Sequence, residues 1–252
     1  MNIIIAPDCE ALELAERLKN QFCNSESESG EPELTLKLDA DGLALVSDGQ
    51  VLKGDFNRML PRLKTANLSK ELLVRAARIK NPTGPLTAID ATAGLGEDSL
   101  LLAAAGFHVT LYERNPVIFE LLNDSIQRAS KQPELSEIVS RMQVFHADSM
   151  EAMKQLEAAP DVILLDPMFP ERQKSALVKK KLQLIQKLEV PCMDESELIQ
   201  TAMSVNPKKL IIKRPPKGPY LAGIKPDHSI EGKAVRFDCF VSPGDRIHKF
   251  FK

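Results

Sequence analysis

The sequence predicts an α/β protein built on a doubly wound, mostly parallel sheet. Three observations predict it. From Leu86 onward, strand-like and helix-like patterns alternate. A glycine loop, Asp90-Ala-Thr-Ala-Gly-Leu-Gly96, joins the first of these strands to the first helix. Acidic residues then recur where strands end, at Glu113, Asp148 and Asp166. Such alternation covers a parallel sheet with helices on both faces and places ligands at the carboxyl ends of its strands.

The elements follow in order. Residues 2–6 (Asn-Ile-Ile-Ile-Ala) read as a short buried strand, and 9–22 as a helix with Leu12, Ala15, Leu18 and Phe22 on one face. Residues 25–32 are polar and acidic and form a loop. Leu34–Leu38 alternates, Asp41-Gly42 punctuates, and Leu43–Val46 returns as a hairpin. Residues 1–55 are therefore expected to form a small N-terminal α/β subdomain. Residues 56–85 are a basic helical connector carrying Arg58, Arg62, Lys64, Lys70, Arg75, Arg78 and Lys80. Ser69 is placed to cap a helix running to Ile79, and Asn81-Pro-Thr-Gly-Pro85 ends it. Residues 86–252 form the main domain. Its strands are expected at 86–90, 108–113, 142–146, 161–165, 210–213 and 234–241. Its helices are expected at 97–105, 116–130, 149–157, 174–187 and 194–204.

Composition narrows the function classes. At 43% hydrophobic residues the chain can bury a sizeable core. Four cysteines and four histidines are scattered without metal-ligand or disulfide spacing, which suits a reducing cytoplasm and predicts no metal. No apolar run approaches the ~20 residues of a membrane span, and no secretory signal precedes the first strand. The net charge of −2 hides an asymmetry: residues 171–217 hold eleven Lys/Arg against five Asp/Glu, and 81–170 hold five against thirteen. That polarity can steer a polyanion to one side of the molecule.

The glycine loop lets backbone approach a ligand at a helix N-terminus. It lacks the third glycine of a dinucleotide fingerprint, and Glu97 and Asp98 follow it at once. Carboxylates there repel a pyrophosphate but suit a cationic amino-acid group. Asp90, Ala93, Gly94, Gly96, Glu97 and Asp98 are thus candidate cofactor contacts, although Asp98 could equally cap the helix. Glu113 ends the next strand about 20 residues on, where an acid accepts ribose hydroxyls. Asp148, followed by Ser149, is placed to accept from an adenine amine or to cap a helix.

Asp161–Leu165 runs into Asp166-Pro-Met-Phe-Pro170. A carboxylate and a proline carbonyl at such an exit make two acceptors for one amine, and Phe169 can stack on the base that carries it. An exocyclic amine conjugated to a ring is a poor nucleophile; fixed acceptors orient its lone pair. Asp166, Pro167 and Phe169 are therefore the expected catalytic set of an amine methyltransferase using S-adenosylmethionine.

The runs Asp90–Gly96, Glu113-Arg-Asn-Pro116, Asp166–Pro170, Gln173-Lys-Ser-Ala-Leu-Val-Lys-Lys180, Lys213-Arg-Pro215 and Arg236-Phe-Asp238 resemble the RsmJ (YhiQ) family over roughly residues 86–241. That family methylates the guanine N2 amine in 16S ribosomal RNA of the small subunit. The resemblance implies the class I S-adenosylmethionine-dependent methyltransferase fold, Rossmann-like, with an antiparallel last strand. It implies cofactor contacts at Glu97-Asp98, Glu113-Arg114, Asp148-Ser149 and Asp166, and 16S rRNA or the small ribosomal subunit as partner. Two departures stand out: Glu97 occupies a position usually held by arginine or another residue, and Leu60–Lys70 replaces a basic, glycine-rich segment.

Lys174, Lys179, Lys180, Lys181, Lys213 and Arg214 are the expected phosphate contacts. With no Trp, two Tyr and ten Phe, at most Phe169 and Tyr220 offer stacking platforms. Alternatives are the same fold acting on adenine N6 or a protein glutamine amide, a non-catalytic RNA- or ribosome-binding module, and a nicotinamide-dependent oxidoreductase.

Overall fold

A computed structural model describes residues 1–6, 11–22, 34–47, 49–167, 188 and 194–246. The expected helix at 174–187, Phe169, Lys174 and Lys179 to Lys181 lie outside these residues.

Two sheets organise the described chain. The larger has seven strands: β5 (Leu86–Asp90), β6 (Phe107–Glu113), β7 (Met142–His146), β8 (Val162–Leu165), β9 (Lys209–Arg214), β10 (His228–Glu231) and β11 (Arg236–Val241). Their spatial order is β10-β11-β9-β8-β5-β6-β7. All neighbours are parallel except β11, which runs against both β9 and β10. The chain builds outward from β5 to β7, then returns to lay β8 on the other side of β5. The switch point of this doubly wound sheet therefore lies at the carboxyl ends of β5 and β8.

Strand β8 shows why the sheet is buried on both faces. All four residues are fully covered. Val162 and Leu164 join a core with α5 (Glu97–Ala104), α4 (Leu72–Ala77) and α7 (Pro133–Val139). Ile163 and Leu165 point the other way, into a core with α8 (Ser149–Lys154) and α9 (Glu195–Ser204). Period-two alternation in an unbroken apolar run supplies both layers.

The smaller sheet has order β1 (Asn2–Ile5), β2 (Thr35–Asp39), β3 (Gly42–Ser47), β4 (Gln50–Leu52). Helix α1 (Leu12–Phe22) packs on it through Leu14, Ala15, Leu18 and Phe22, and Val117 and Leu121 of α6 (Pro116–Ser130) complete this core. Arg17 grips the buried Glu120 bidentately at 3.0 and 2.8 Å. Arg128 binds Asp124 at 2.8 Å and the Gly54 carbonyl at 2.6 Å.

Several expectations are corrected. Strand β1 is an edge strand, so Ile4 is 54% exposed rather than buried. Leu12 is 70% exposed, because the buried stripe of α1 begins at Leu14. Ser69 caps no long helix: the connector breaks into α2 (Leu60–Leu63), α3 (Thr65–Leu68) and α4, with Lys64 and Glu71 extended between them. Strands β4 and β10 and helix α7 were not anticipated.

Candidate active site

The carboxyl ends of β5, β6, β7, β8 and β9 open into one cleft of about 690 Å³. Asp90, Ala93, Gly94, Gly96, Glu97, Asp98, Glu113, Arg114, Asp148, Ser149, Asp166 and Pro167 all line it. The whole expected cofactor set is thus gathered on one edge of one sheet.

The glycine loop is held by its neighbours. Ala91 N–H donates to the Leu164 carbonyl at 3.0 Å and Ala93 N–H to that of Tyr112 at 3.2 Å. Gly94 and Gly96 have φ of 53° and 75°, a region L-residues rarely adopt. A Cβ at Gly96 would meet Leu122 Cδ1 at 2.6 Å, whereas one at Gly94 would meet nothing within 4 Å. Gly96 is also the N-cap of α5, without any side-chain cap. The helix-capping reading of Asp98 is therefore not met.

Each acid has a distinct environment. Asp90 is 2% exposed; it accepts from Ser99 Oγ at 2.6 Å and from Thr92 N–H at 3.2 Å. Burial pushes its carboxyl up to about 7, against the Ser99 hydrogen bond. Glu113 accepts from Asn115 N–H at 2.8 Å with one oxygen and from Gly94 N–H at 3.0 Å with the other. Burial raises it too, opposed by those two N–H groups. Asp148 is the N-cap of α8 and accepts from Met150 N–H at 2.8 Å. Glu97 is exposed at the rim of the cleft.

Asp166 faces the cleft with its side chain 38% exposed. Its N–H donates to Thr92 Oγ1 at 2.6 Å, so the glycine loop and the Asp-Pro turn are tied together. Its Oδ2 lies 2.9 Å from Lys213 Nζ, which also lies 2.6 Å from Asp98 Oδ2. Burial raises the Asp166 carboxyl; Lys213 opposes this and Asp98 reinforces it. For Lys213, burial favours the neutral form, but Asp98 and Asp166 outweigh it and hold the ammonium well above the ordinary lysine range.

Lys213 and Arg214 were expected to contact phosphates. Neighbours on a strand point to opposite faces, and these two do. Lys213 enters the cleft, while Arg214 is 2% exposed, with Nε donating to the Pro219 carbonyl at 2.9 Å. Tyr220 lies beneath the Arg236 guanidinium, 5.0 Å from its ring centre, so it serves a buried ion pair with Asp238. Sequence reasoning missed Thr92, which lies inside the glycine loop, and Ser99, which follows Asp98; neither residue type signals a chemistry of its own. It also missed the second wall of the cleft, formed by Arg62, Glu71, Leu72, Leu73, Ala234, Val235 and Phe237. Nothing in their spacing marks them; tertiary packing brings α4 onto β11.

The cleft suits S-adenosylmethionine. Its volume is that of a small-molecule site. Seven acids (Glu71, Asp90, Glu97, Asp98, Glu113, Asp148, Asp166) line it against three bases (Arg62, Arg114, Lys213), which favours a sulfonium and an ammonium over a pyrophosphate. Among the described residues no cluster of His, Cys, Asp or Glu could hold a metal, and no helix is long and apolar enough to cross a membrane.

Strand order, the one reversed strand and the acid-lined loop together define a class I S-adenosylmethionine-dependent methyltransferase. The family model described as "Putative SAM-dependent methyltransferase" matches residues 18–242. Over 223 residues the chain is 40% identical to ribosomal RNA small subunit methyltransferase J of Thioalkalivibrio sulfidiphilus, covering 85% of this chain and 87% of that protein. It is 40% identical to the protein of the same name from Nitrosococcus oceani over 238 residues, covering 92% and 93%. A crystal structure of a SAM-dependent methyltransferase from Neisseria gonorrhoeae superposes with a TM-score of 0.76 at 28% identity, covering 100% and 99% of the two chains. The chain belongs to the ribosomal RNA small subunit methyltransferase J family.

Proposed function

We propose that this chain transfers a methyl group from S-adenosylmethionine to the exocyclic N2 amine of a guanosine in 16S ribosomal RNA of the small subunit. The observation that carries the reading is Asp166, held at its N–H and at one oxygen, facing the acid-lined cleft. The printed names of the relatives support ribosomal RNA of the small subunit as the substrate. The guanine N2 position rests on the resemblance to the RsmJ family.

When bound, S-adenosylmethionine supplies an electrophilic methyl group on a sulfonium. The chain's own residues do the rest. Glu113 is proposed to accept from the ribose hydroxyls and Asp148 from the adenine amine, each keeping acceptor capacity beyond its backbone bonds. Asp98 and Asp90 favour positive charge. Asp166 and the Pro167 carbonyl accept N–H bonds from the target amine and orient its lone pair. Phe169 is proposed to stack on the base. The target base must leave its helix to enter the cleft, at a cost of about a few kcal/mol.

Phosphate contacts are proposed on the connector, where Arg58, Arg62, Lys64 and Lys70 are exposed and Arg62 lines the cleft, with Lys174 and Lys179 to Lys181 as further candidates. We propose residues 1–55, 56–85 and 86–252 as the units of organisation and the cytoplasm as the place of action.

The test incubates the protein with methyl-labelled S-adenosylmethionine and 16S rRNA, free and in small subunits, and resolves the nucleosides. N2-methylguanosine is expected. Label in N6-methyladenosine or in protein glutamine would overturn the acceptor. Absence of label from every substrate would favour a binding module.

A further inference from the structure

We propose that Lys213 is a positioning residue for the acceptor amine: clamped between Asp98 and Asp166, its ammonium holds one oxygen of Asp166 and leaves the other an ionised acceptor facing the cleft. The proposal rests on the reading of Asp166 given under Proposed function.

The geometry is that of an internal brace. Lys213 Nζ meets Asp98 Oδ2 at 2.6 Å and Asp166 Oδ2 at 2.9 Å, and three-quarters of its side chain is covered. An ammonium has three donors, and two are committed here. Asp98 sits in the first turn of α5, and Asp166 leaves β8. One cation therefore ties the helix behind the glycine loop to the acceptor turn. Thr92 supplies the second tie, accepting from Asp166 N–H. A carboxylate pinned at both places has little freedom left, which is what aligning an amine lone pair requires.

Charge makes the brace necessary. Besides Lys213, the charged groups that act on Asp166 are Asp90 from β5, Asp98 from α5 and, from the opposite face of β9, Arg214; Asp98 in turn acts on Arg62 of α2. Without Lys213, three carboxylates would share a cleft already hostile to charge, and protonation would relieve them. A protonated Asp166 would present a donor where the amine needs an acceptor.

The test follows the Asp166 carboxyl by carbon-13 NMR in labelled protein without cofactor, alongside single-turnover methyl transfer to 16S rRNA. In Lys213→Gln the Asp166 midpoint should rise by about one pH unit or more. The pH below which transfer is lost should rise by the same shift, and transfer should recover in more alkaline buffer. Lys213→Arg should restore both, and Asp98→Asn should move the midpoint down. An unshifted midpoint in folded Lys213→Gln overturns the proposal. If that variant does not fold, an Asp98→Asn midpoint that fails to drop does so. Full activity in Asp166→Ala would instead overturn the reading of Asp166, whatever the lysine variants show.

Discussion

Strands β8 and β9 carry an Asp–Lys pair at each end, and the two pairs are built inside out relative to each other. At the amino ends, Lys208 Nζ meets Asp161 at 2.6 Å, with the carboxylate 11% exposed and the lysine 58%. At the carboxyl ends, Lys213 meets Asp166 at 2.9 Å, with the lysine 25% exposed and the carboxylate 38%. Asp161 also accepts from Thr87 N–H at 2.8 Å. Burial acts to raise Asp161, but Lys208 and Thr87 outweigh it and hold the carboxyl below the ordinary range. Burial raises Asp166, and Lys213 does not fully offset it. The same two residue types thus make a strap at one edge and, at the other, a cleft-lining pair whose carboxylate we propose as the acceptor. What separates them is which partner is covered and whether the carboxylate keeps a face toward a cleft.

The sharpest way to break this comparison is Asp166→Ala. Methyl transfer should fall by about 10²–10³-fold with an unfolding midpoint near that of the wild type, measured by single turnover and by urea titration. Next is Gly96→Ala, which forces a left-handed backbone and a Cβ 2.6 Å from Leu122 Cδ1. Urea titration should show a loss of about 1–3 kcal/mol; an unchanged midpoint would mean the loop relaxes freely. Asp161→Ala should cost about 1–3 kcal/mol of stability and leave transfer by the folded protein intact. Its pH dependence has a definite sign. Asp161 is lowered in the folded state, so its contribution is complete above the unfolded carboxylate value of about 3.9. It is lost as pH falls through the folded value. The gap in melting temperature between wild type and Asp161→Ala should therefore close in acid. Smallest is Lys208→Ala, worth about 1 kcal/mol or less because that lysine stands in water; a larger drop in melting temperature would show that the strap depends on its cation.

Much of this was legible in the sequence, for identifiable reasons. The unbroken apolar run of β8, the glycine loop and the acids at strand ends are local signals, and period-two and helical patterns place them. That is why the residues expected to contact a cofactor line one cleft. The two faces of residues 213 and 214 were less legible. Strand alternation demands that they diverge, but only packing decides that Lys213 takes the cleft and Arg214 the interior. The connector wall was not legible at all. Leu72, Leu73 and Phe237 look like ordinary core residues until α4 is laid against β11. Likewise, Asp161 and Asp166 are both aspartates flanking one buried strand, and a motif search distinguishes them only by the proline that follows the second.

The most direct measurement pairs Asp161→Ala with Asp166→Ala. For each, the urea midpoint is determined and the yield of N2-methylguanosine in 16S rRNA is measured after a single turnover under conditions where the protein is folded. The account predicts a near-wild-type midpoint with transfer slowed about 10²–10³-fold for Asp166→Ala, and a lowered midpoint with full product for Asp161→Ala. Product from Asp166→Ala at the wild-type yield, or an equal loss of product from folded Asp161→Ala, would contradict it.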